Sequence, residues 1–198
     1  MAGGIGSRFW PMSTPECPKQ FIDVLGCGRT LLQLTADRFK RICFPENIWV
    51  VTSEAYADIV REQLPEIPES NILKEPCRRN TAPCIAYVSW RIKKLNPKAN
   101  VVVTPSDHIV MDVAEFERVI TSGLAFTAET DSILTLGMKP NRPETGYGYI
   151  QIAEPAGDNF YKVKTFTEKP ELELAKVFVE SGEFYWNSGL FMWNLSLI

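Results

Sequence analysis

The sequence predicts an α/β protein built on a doubly wound mixed sheet, lacking the strand expected ahead of its first loop. Three observations carry that prediction. Up to about residue 137, short and nearly all-apolar runs alternate with stretches of helical spacing, as in parallel strands covered by helices on both faces. Beyond it, runs alternate polar and apolar residues, as half-exposed antiparallel strands do. The chain also opens on glycines at Gly3, Gly4 and Gly6, a loop that normally leaves the carboxyl end of a strand, yet only Met1 and Ala2 precede it.

The elements follow in order. Residues 30–43 place Leu32, Ala36, Phe39 and Cys43 at helical spacing. Residues 48–52 are a buried strand, and 54–64 a helix stopped near Pro65. Residues 71–75 are a strand ending at Pro76, and 81–95 a long helix with Pro83 in its first turn. A buried strand at 101–104 precedes a helix begun by Asp112, with Glu115 three residues on as its capping-box partner. A strand at 132–136 closes the parallel part. The antiparallel part has strands at 147–152, 161–166 and 185–193, with a short amphipathic helix at 171–181. No internal repeat or linker is visible, so the expectation is one domain over residues 1–198.

Composition narrows the function classes. At 198 residues the chain can bury one substantial core, and its net charge of −3 argues against a broad nucleic-acid-binding surface. No run of about 18 apolar residues occurs and no basic-then-apolar leader opens the chain, which predicts no membrane partner and a cytoplasmic location. Five scattered cysteines, none in a Cys-x-x-Cys pair, and the single histidine His108 make a structural zinc site a poor fit. Reduced, mostly packed thiols are expected.

Several motifs fall where strands end, the place at which open parallel sheets bind ligands. The glycine loop is flanked by Arg8 and Lys19, and backbone amides with flanking cations suit the phosphates of a nucleotide. Arg79, Asn80 and Thr81 stand where a strand hands over to a helix. They could contact a ligand, or Asn80 and Thr81 could only cap the helix. Asp107, after the 101–104 strand, could be a turn residue or a magnesium ligand. His108 is read as orienting Asp107. Gly146 could begin a strand or allow close backbone approach, and Glu168 with Lys169 could be a solvated pair. Trp186, Phe191 and Trp193 are read as core.

The run Gly3-Gly-x-Gly6-x-Arg8-x-Trp10-Pro11-x-Ser13, followed by Pro18-Lys19-Gln20-Phe21, resembles the signature of the mannose-1-phosphate guanylyltransferases of the sugar-nucleotidyltransferase superfamily. Glu75-Pro-x-x-Arg79-Asn80-Thr81, Pro105-Ser106-Asp107, Thr145-Gly146-Tyr-Gly148-Tyr149, Phe166-Thr-Glu168-Lys169-Pro170 and Asn187-Ser-Gly-Leu-Phe191 follow in the family's order. The resemblance implies a Rossmann-like nucleotidyltransferase domain, here partial, that transfers GMP from GTP to mannose 1-phosphate with Mg²⁺ and releases pyrophosphate. It implies that Arg8, Lys19 and Asp107 are catalytic and that Asp107 holds the metal. Gly3, Gly4, Gly6, Arg79, Asn80 and Thr81 would bind the nucleotide, and Gly146, Glu168, Lys169 and Asn187 the sugar phosphate. A homodimer is compatible with this reading and not required by it. Two alternatives stand beside it: an inactive or purely binding truncated piece of such an enzyme, and a thymidylyl- or uridylyltransferase acting on glucose 1-phosphate.

Overall fold

The computed structural model describes residues 1–4, 9–75 and 81–198. They form two compact units, Met1–Ile133 with Met192–Ile198, and Leu134–Phe191.

The first unit begins with a rung of parallel sheet. The Met1 amino group donates to the Thr104 carbonyl (3.0 Å) and the Met1 carbonyl accepts from the Ser106 N–H (3.2 Å). A residue bonded to positions j−1 and j+1 of its neighbour is the parallel ladder pattern. The next residue turns to the other side, where the Ala2 N–H donates to the Val51 carbonyl at 2.8 Å. Burial pushes the pKa of the Met1 ammonium down. β1 (Val50–Ser53) and β2 (Ile72–Glu75) pair in parallel, Val50 opposite Ile72 and Val51 opposite Leu73. Their alternate side chains enter two cores, as the two-residue period of a strand requires. Val50 and Ile72 pack with Ala2, Phe21, Leu32, Val60 and Leu64, whereas Val51 and Leu73 pack with Cys84 and Val88. Helices therefore cover both faces.

The helices around this sheet have local causes. α1 (Leu31–Phe39) is capped by Thr30, whose hydroxyl accepts from the Gln33 N–H while the Gln33 side chain accepts from the Thr30 N–H. It ends at Phe39, short of the expected Cys43. The helix expected over 54–64 divides into a 3₁₀ turn, Glu54–Tyr56, and α2 (Ala57–Gln63). α3 spans Thr81–Leu95 and β3 spans Asn100–Val103. α4 (Val113–Glu129) starts at Asp112, whose carboxylate accepts from the Glu115 N–H. The Glu115 side chain, expected to return that bond, pairs with Arg118 instead.

In the second unit, β4 (Leu134–Met138) and β5 (Gly148–Gly157) both pair with β7 (Phe184–Asn194), and β6 (Phe160–Glu168) lies antiparallel to β5. β7 also pairs with β3, and its last residues, Met192–Asn194, are counted in the first unit. α5 (Leu172–Ser181) sets Ala175 and Phe178 on Tyr149 and Phe184, with the Phe178 and Phe184 rings stacked at 3.8 Å. Gly182 ends that helix at φ 72°, a left-handed position suited to glycine. The α/β class and the change from parallel to antiparallel pairing are as predicted. The sheet itself lies in two pieces, β1–β2 and a five-stranded set.

The thiols are less packed than expected. Of the described cysteines, all free, Cys17 and Cys27 are exposed, Cys43 is half-buried, and Cys84 is buried. Burial first, and then the neighbouring Glu75 carboxylate, push the Cys84 thiol up to about 11. An aromatic disulfide reagent at pH 8 should therefore modify Cys17 and Cys27 quickly and leave Cys84 intact until the chain unfolds. Peptide mass spectrometry against time checks this, and early modification of Cys84 would contradict the packing described.

Candidate functional site

In the first unit Gly3, Gly4, Lys19 and Asp107 stand around the opening rung. Ala2 and Gly4 are held from one side by Gln20, whose buried side-chain amide donates to their carbonyls at 3.1 and 2.8 Å. Gln20 stands in a 3₁₀ turn, Lys19–Phe21, between two anchors: Pro18 is fully buried, and Phe21 packs against Tyr56 at 5.5 Å between ring centroids. With its neighbours fixed, Lys19 is carried out of the core. Its ammonium lies 2.6 Å from Asp107 Oδ2 and over the Phe9 ring at 5.3 Å.

Asp107 follows Ser106, the residue whose N–H completes the Met1 rung. One short ladder thus aligns the glycine segment with the Asp107 turn, and the Lys19–Asp107 pair spans the two. Both side chains are about a quarter exposed (27 % and 26 %). Two charges so placed are attracted at close range yet open to an incoming ion or phosphate, because partial solvation keeps the pair from being strongly bound. The Asp107 carboxylate is held by Lys19 rather than by the expected His108. Burial, reinforced by Arg38 and Lys19, pushes the His108 pKa down.

A side chain on Gly3 would come within 3.5 Å of Glu75 Oε2 at the end of β2, and one on Gly4 would meet nothing within 4 Å. Packing alone does not demand glycine at either position. Thr81 is exposed at the start of α3. Gly6, Arg8, Arg79 and Asn80 lie outside the described residues.

The second unit holds the other predicted group. Gly148 pairs with Glu168 across β5 and β6. A Cβ on Gly148 would fall 2.8 Å from Glu168 Oε2 and 3.6 Å from the Asn187 Cβ, so the bare backbone is what lets these two side chains converge. The Asn187 carbonyl oxygen accepts from the Gly189 N–H at 2.9 Å, with Gly189 at φ 71°, which fixes the side chain's orientation. Lys169 takes a left-handed φ of 44°, and its N–H donates to the Tyr147 carbonyl at 3.2 Å. Its ammonium lies 2.8 Å from Glu168 Oε1, and both side chains are largely exposed.

The Gly146 N–H donates to Glu144 Oε1 at 3.0 Å. Arg142 grips the other Glu144 oxygen at 3.0 Å while lying over the Trp186 ring, and the buried Tyr149 hydroxyl bonds both the N–H and the carbonyl of Glu144. Sequence reasoning missed Glu144, and it missed Gln20. A glutamine wedged between a proline and a phenylalanine that both enter the core is the signal that could have exposed Gln20. Of the aromatics read as core, Trp193 is buried. Trp186 is half-buried, between Arg142 and Tyr147.

The nucleotidyl transferase family model matches residues 1–197. The chain belongs to that family. It is 40 % identical over 197 residues to the mannose-1-phosphate guanylyltransferase of Escherichia coli strain K12, covering 95 % of this chain and 40 % of that protein. Over 190 residues it is 40 % identical to the xanthan biosynthesis protein XanB of Xanthomonas campestris pv. campestris, with the same coverage of each. The chain thus spans about two fifths of the length of these relatives. A crystal structure from Thermus thermophilus, titled mannose-1-phosphate geranyltransferase, superposes with a TM-score of 0.91 at 30 % identity, covering 100 % of this chain and 56 % of that one.

The Glu144 loop has a defined pH response. The Gly146 N–H, and after it Arg142, hold the Glu144 carboxyl below its ordinary value. A depressed carboxyl pKa stabilises the folded loop above the unfolded value of about 4.3, and that contribution is lost as pH falls through the folded value. The Gly146 amide resonance should therefore move in an NMR titration with a midpoint below about 4.3, and Glu144→Gln should remove the transition. A midpoint at or above the unfolded value would contradict the bonding described.

Proposed function

We propose that this chain is the nucleotidyl-transfer part of a mannose-1-phosphate guanylyltransferase, moving GMP from GTP to mannose 1-phosphate and releasing pyrophosphate. The observation that carries the reading is the Lys19–Asp107 pair at 2.6 Å beside the Gly3–Gly4 segment, a cation and a carboxylate together where the phosphates of a nucleotide would lie. The identity to relatives that bear this name supports the choice of substrates.

In this reading a phosphate oxygen of mannose 1-phosphate attacks the α-phosphorus of GTP. A new P–O bond forms as the bond to the β-phosphate oxygen breaks, and pyrophosphate leaves with that electron pair. The attacking oxygen is anionic near neutral pH, so no general base is required. The protein aligns two polyanions and offsets their repulsion. Lys19 turns from Asp107 to the triphosphate, with Arg8 as a second cation. Gly3, Gly4 and Gly6 line the phosphates, and Arg79, Asn80 and Thr81 serve the guanine and ribose. In the second unit Glu168 and Asn187 take sugar hydroxyls, Lys169 takes the sugar's phosphate, and the Gly146 N–H exchanges Glu144 for a hydroxyl.

Among the described residues no cluster of three metal-ligating side chains occurs, but a magnesium ion commonly takes one or two carboxylates and completes its shell with phosphate oxygens and water. Asp107 fits that role, and the ion would supply charge neutralisation on the phosphates. No helix among the described residues is long and apolar enough to cross a membrane. Together with the free thiols, that supports a cytoplasmic location.

Lys19→Met and Asp107→Asn should each lower pyrophosphate release from GTP and mannose 1-phosphate on the order of 10²–10³-fold, with the thermal midpoint little changed. A near-normal rate in either variant would overturn the assignment. Gly148→Ala should leave stability within about 0.5 kcal/mol, since only the mobile end of Glu168 must move. It should raise KM for mannose 1-phosphate by about tenfold, as expected for one weakened bond to a charged group, and leave KM for GTP unchanged. A KM rise confined to GTP would overturn the role given to Glu168.

A further inference from the structure

Glu144 is tied down through both its backbone and its side chain. Its N–H donates to the buried Tyr149 hydroxyl at 3.0 Å, and that hydroxyl donates to the Glu144 carbonyl at 2.9 Å. One carboxylate oxygen, Oε2, accepts from Arg142 Nη2 at 3.0 Å and from Nε at 3.3 Å. The Arg142 guanidinium is backed in turn by the Trp186 ring, 5.1 Å from its centre, and Trp186 packs on the core of Tyr149, Phe178 and Phe184. The other oxygen, Oε1, accepts from the N–H of Gly146, an exposed residue, at 3.0 Å. No side chain covers that bond, since a Cβ on Gly146 would fall 3.1 Å from Oε1.

We propose that Glu144 is itself a sugar-binding residue: Oε1 accepts from the same hydroxyl that accepts from the Gly146 N–H, and Arg142 is the positioning residue that keeps the carboxylate there. This deepens the reading of the second unit as the side that holds the sugar phosphate, and rests on it. When a hydroxyl oxygen takes the Gly146 N–H, Oε1 loses that donor but cannot travel far. Tyr149 fixes the Glu144 backbone on both sides, and Arg142 keeps Oε2. The nearest new neighbour of Oε1 is then the hydroxyl. A hydroxyl has one proton to give and lone pairs to receive with, so it satisfies the amide and the carboxylate together. The Gly146 N–H, and after it Arg142, hold the Glu144 pKa below its ordinary value, so near neutral pH the carboxylate is an acceptor only. A fluorine or an ether oxygen could accept from Gly146 but would set its lone pairs against Oε1. The pair of Gly146 and Glu144 thus reads a hydroxyl by its proton.

NMR titrations with mannose 1-phosphate and its monodeoxyfluoro analogues, followed at the Gly146 amide, test this in the unaltered chain, Glu144→Gln, Arg142→Ala and Arg142→Lys. In the unaltered chain, fluorine at one sugar position should weaken binding at least about tenfold, as loss of a hydrogen bond to a charged group does. In Glu144→Gln the Arg142 donors claim the amide oxygen and leave the NH2 group facing the ligand, where it can donate to fluorine. The penalty at that one position should then fall below about twofold, while penalties at the other positions stay. Arg142→Ala should shrink the same penalty, and Arg142→Lys should restore most of it, a pattern that a brace for the loop would not produce. The two Arg142 variants carry the comparison alone if Glu144→Gln does not fold. Equal fluorine penalties in the unaltered chain and in the variants that fold would overturn the proposal. Absence of any mannose 1-phosphate shift in the second unit of the unaltered chain would instead overturn the reading of that unit, and this proposal with it.

Discussion

The parallel rung made by Met1 is the constraint on which the first unit depends. Its two bonds to Thr104 and Ser106, and the Ala2 bond to Val51, tie the opening residues to two separate strand ends. Gln20 then clamps the same segment from the side, and Gln20 is placed by the burial of Pro18 and Phe21. Lys19 and Asp107 meet because each neighbours a residue that touches this segment. Their approach follows from a backbone ladder and one side-chain amide, and the charges only complete it.

The second unit reaches a similar end by different means. There the convergence of Glu168 and Asn187 rests on the missing side chain of Gly148, and the Gly146 loop is held by a carboxylate of its own. In both units the proposed binding groups are paired among themselves: Lys19 with Asp107, Lys169 with Glu168, and the Gly146 N–H with Glu144. In the proposed reaction, binding exchanges an internal partner for a substrate atom in each case. Such exchange lets charged groups stay satisfied before the substrate arrives, and it makes affinity the difference between two sets of bonds.

Much of the fold was legible in the sequence because strand and helix periods differ, and because Thr81, Asp112 and Pro65 mark element ends by local chemistry. The bounds of α1 and α2 were less so. The apolar spacing runs on to Cys43 past the end of α1 at Phe39, and a 3₁₀ turn such as Glu54–Tyr56 carries no signal that separates it from an α-helix. In the site, Lys19, Asp107 and Glu168 announced themselves as charges in short motifs. Gln20 and Glu144 did not, since their roles lie in what they bond, and those partners are set by folding. The pairing of Lys19 with Asp107 spans 88 positions by their numbering, a proximity no local pattern could reveal.

The claim that Met1 and Ala2 pair as a strand is open to one direct measurement: hydrogen exchange at the Ser106 amide. Bonded to the Met1 carbonyl, it should exchange as slowly as the core amides of β1. Exchange at the rate of an unstructured peptide would contradict the account.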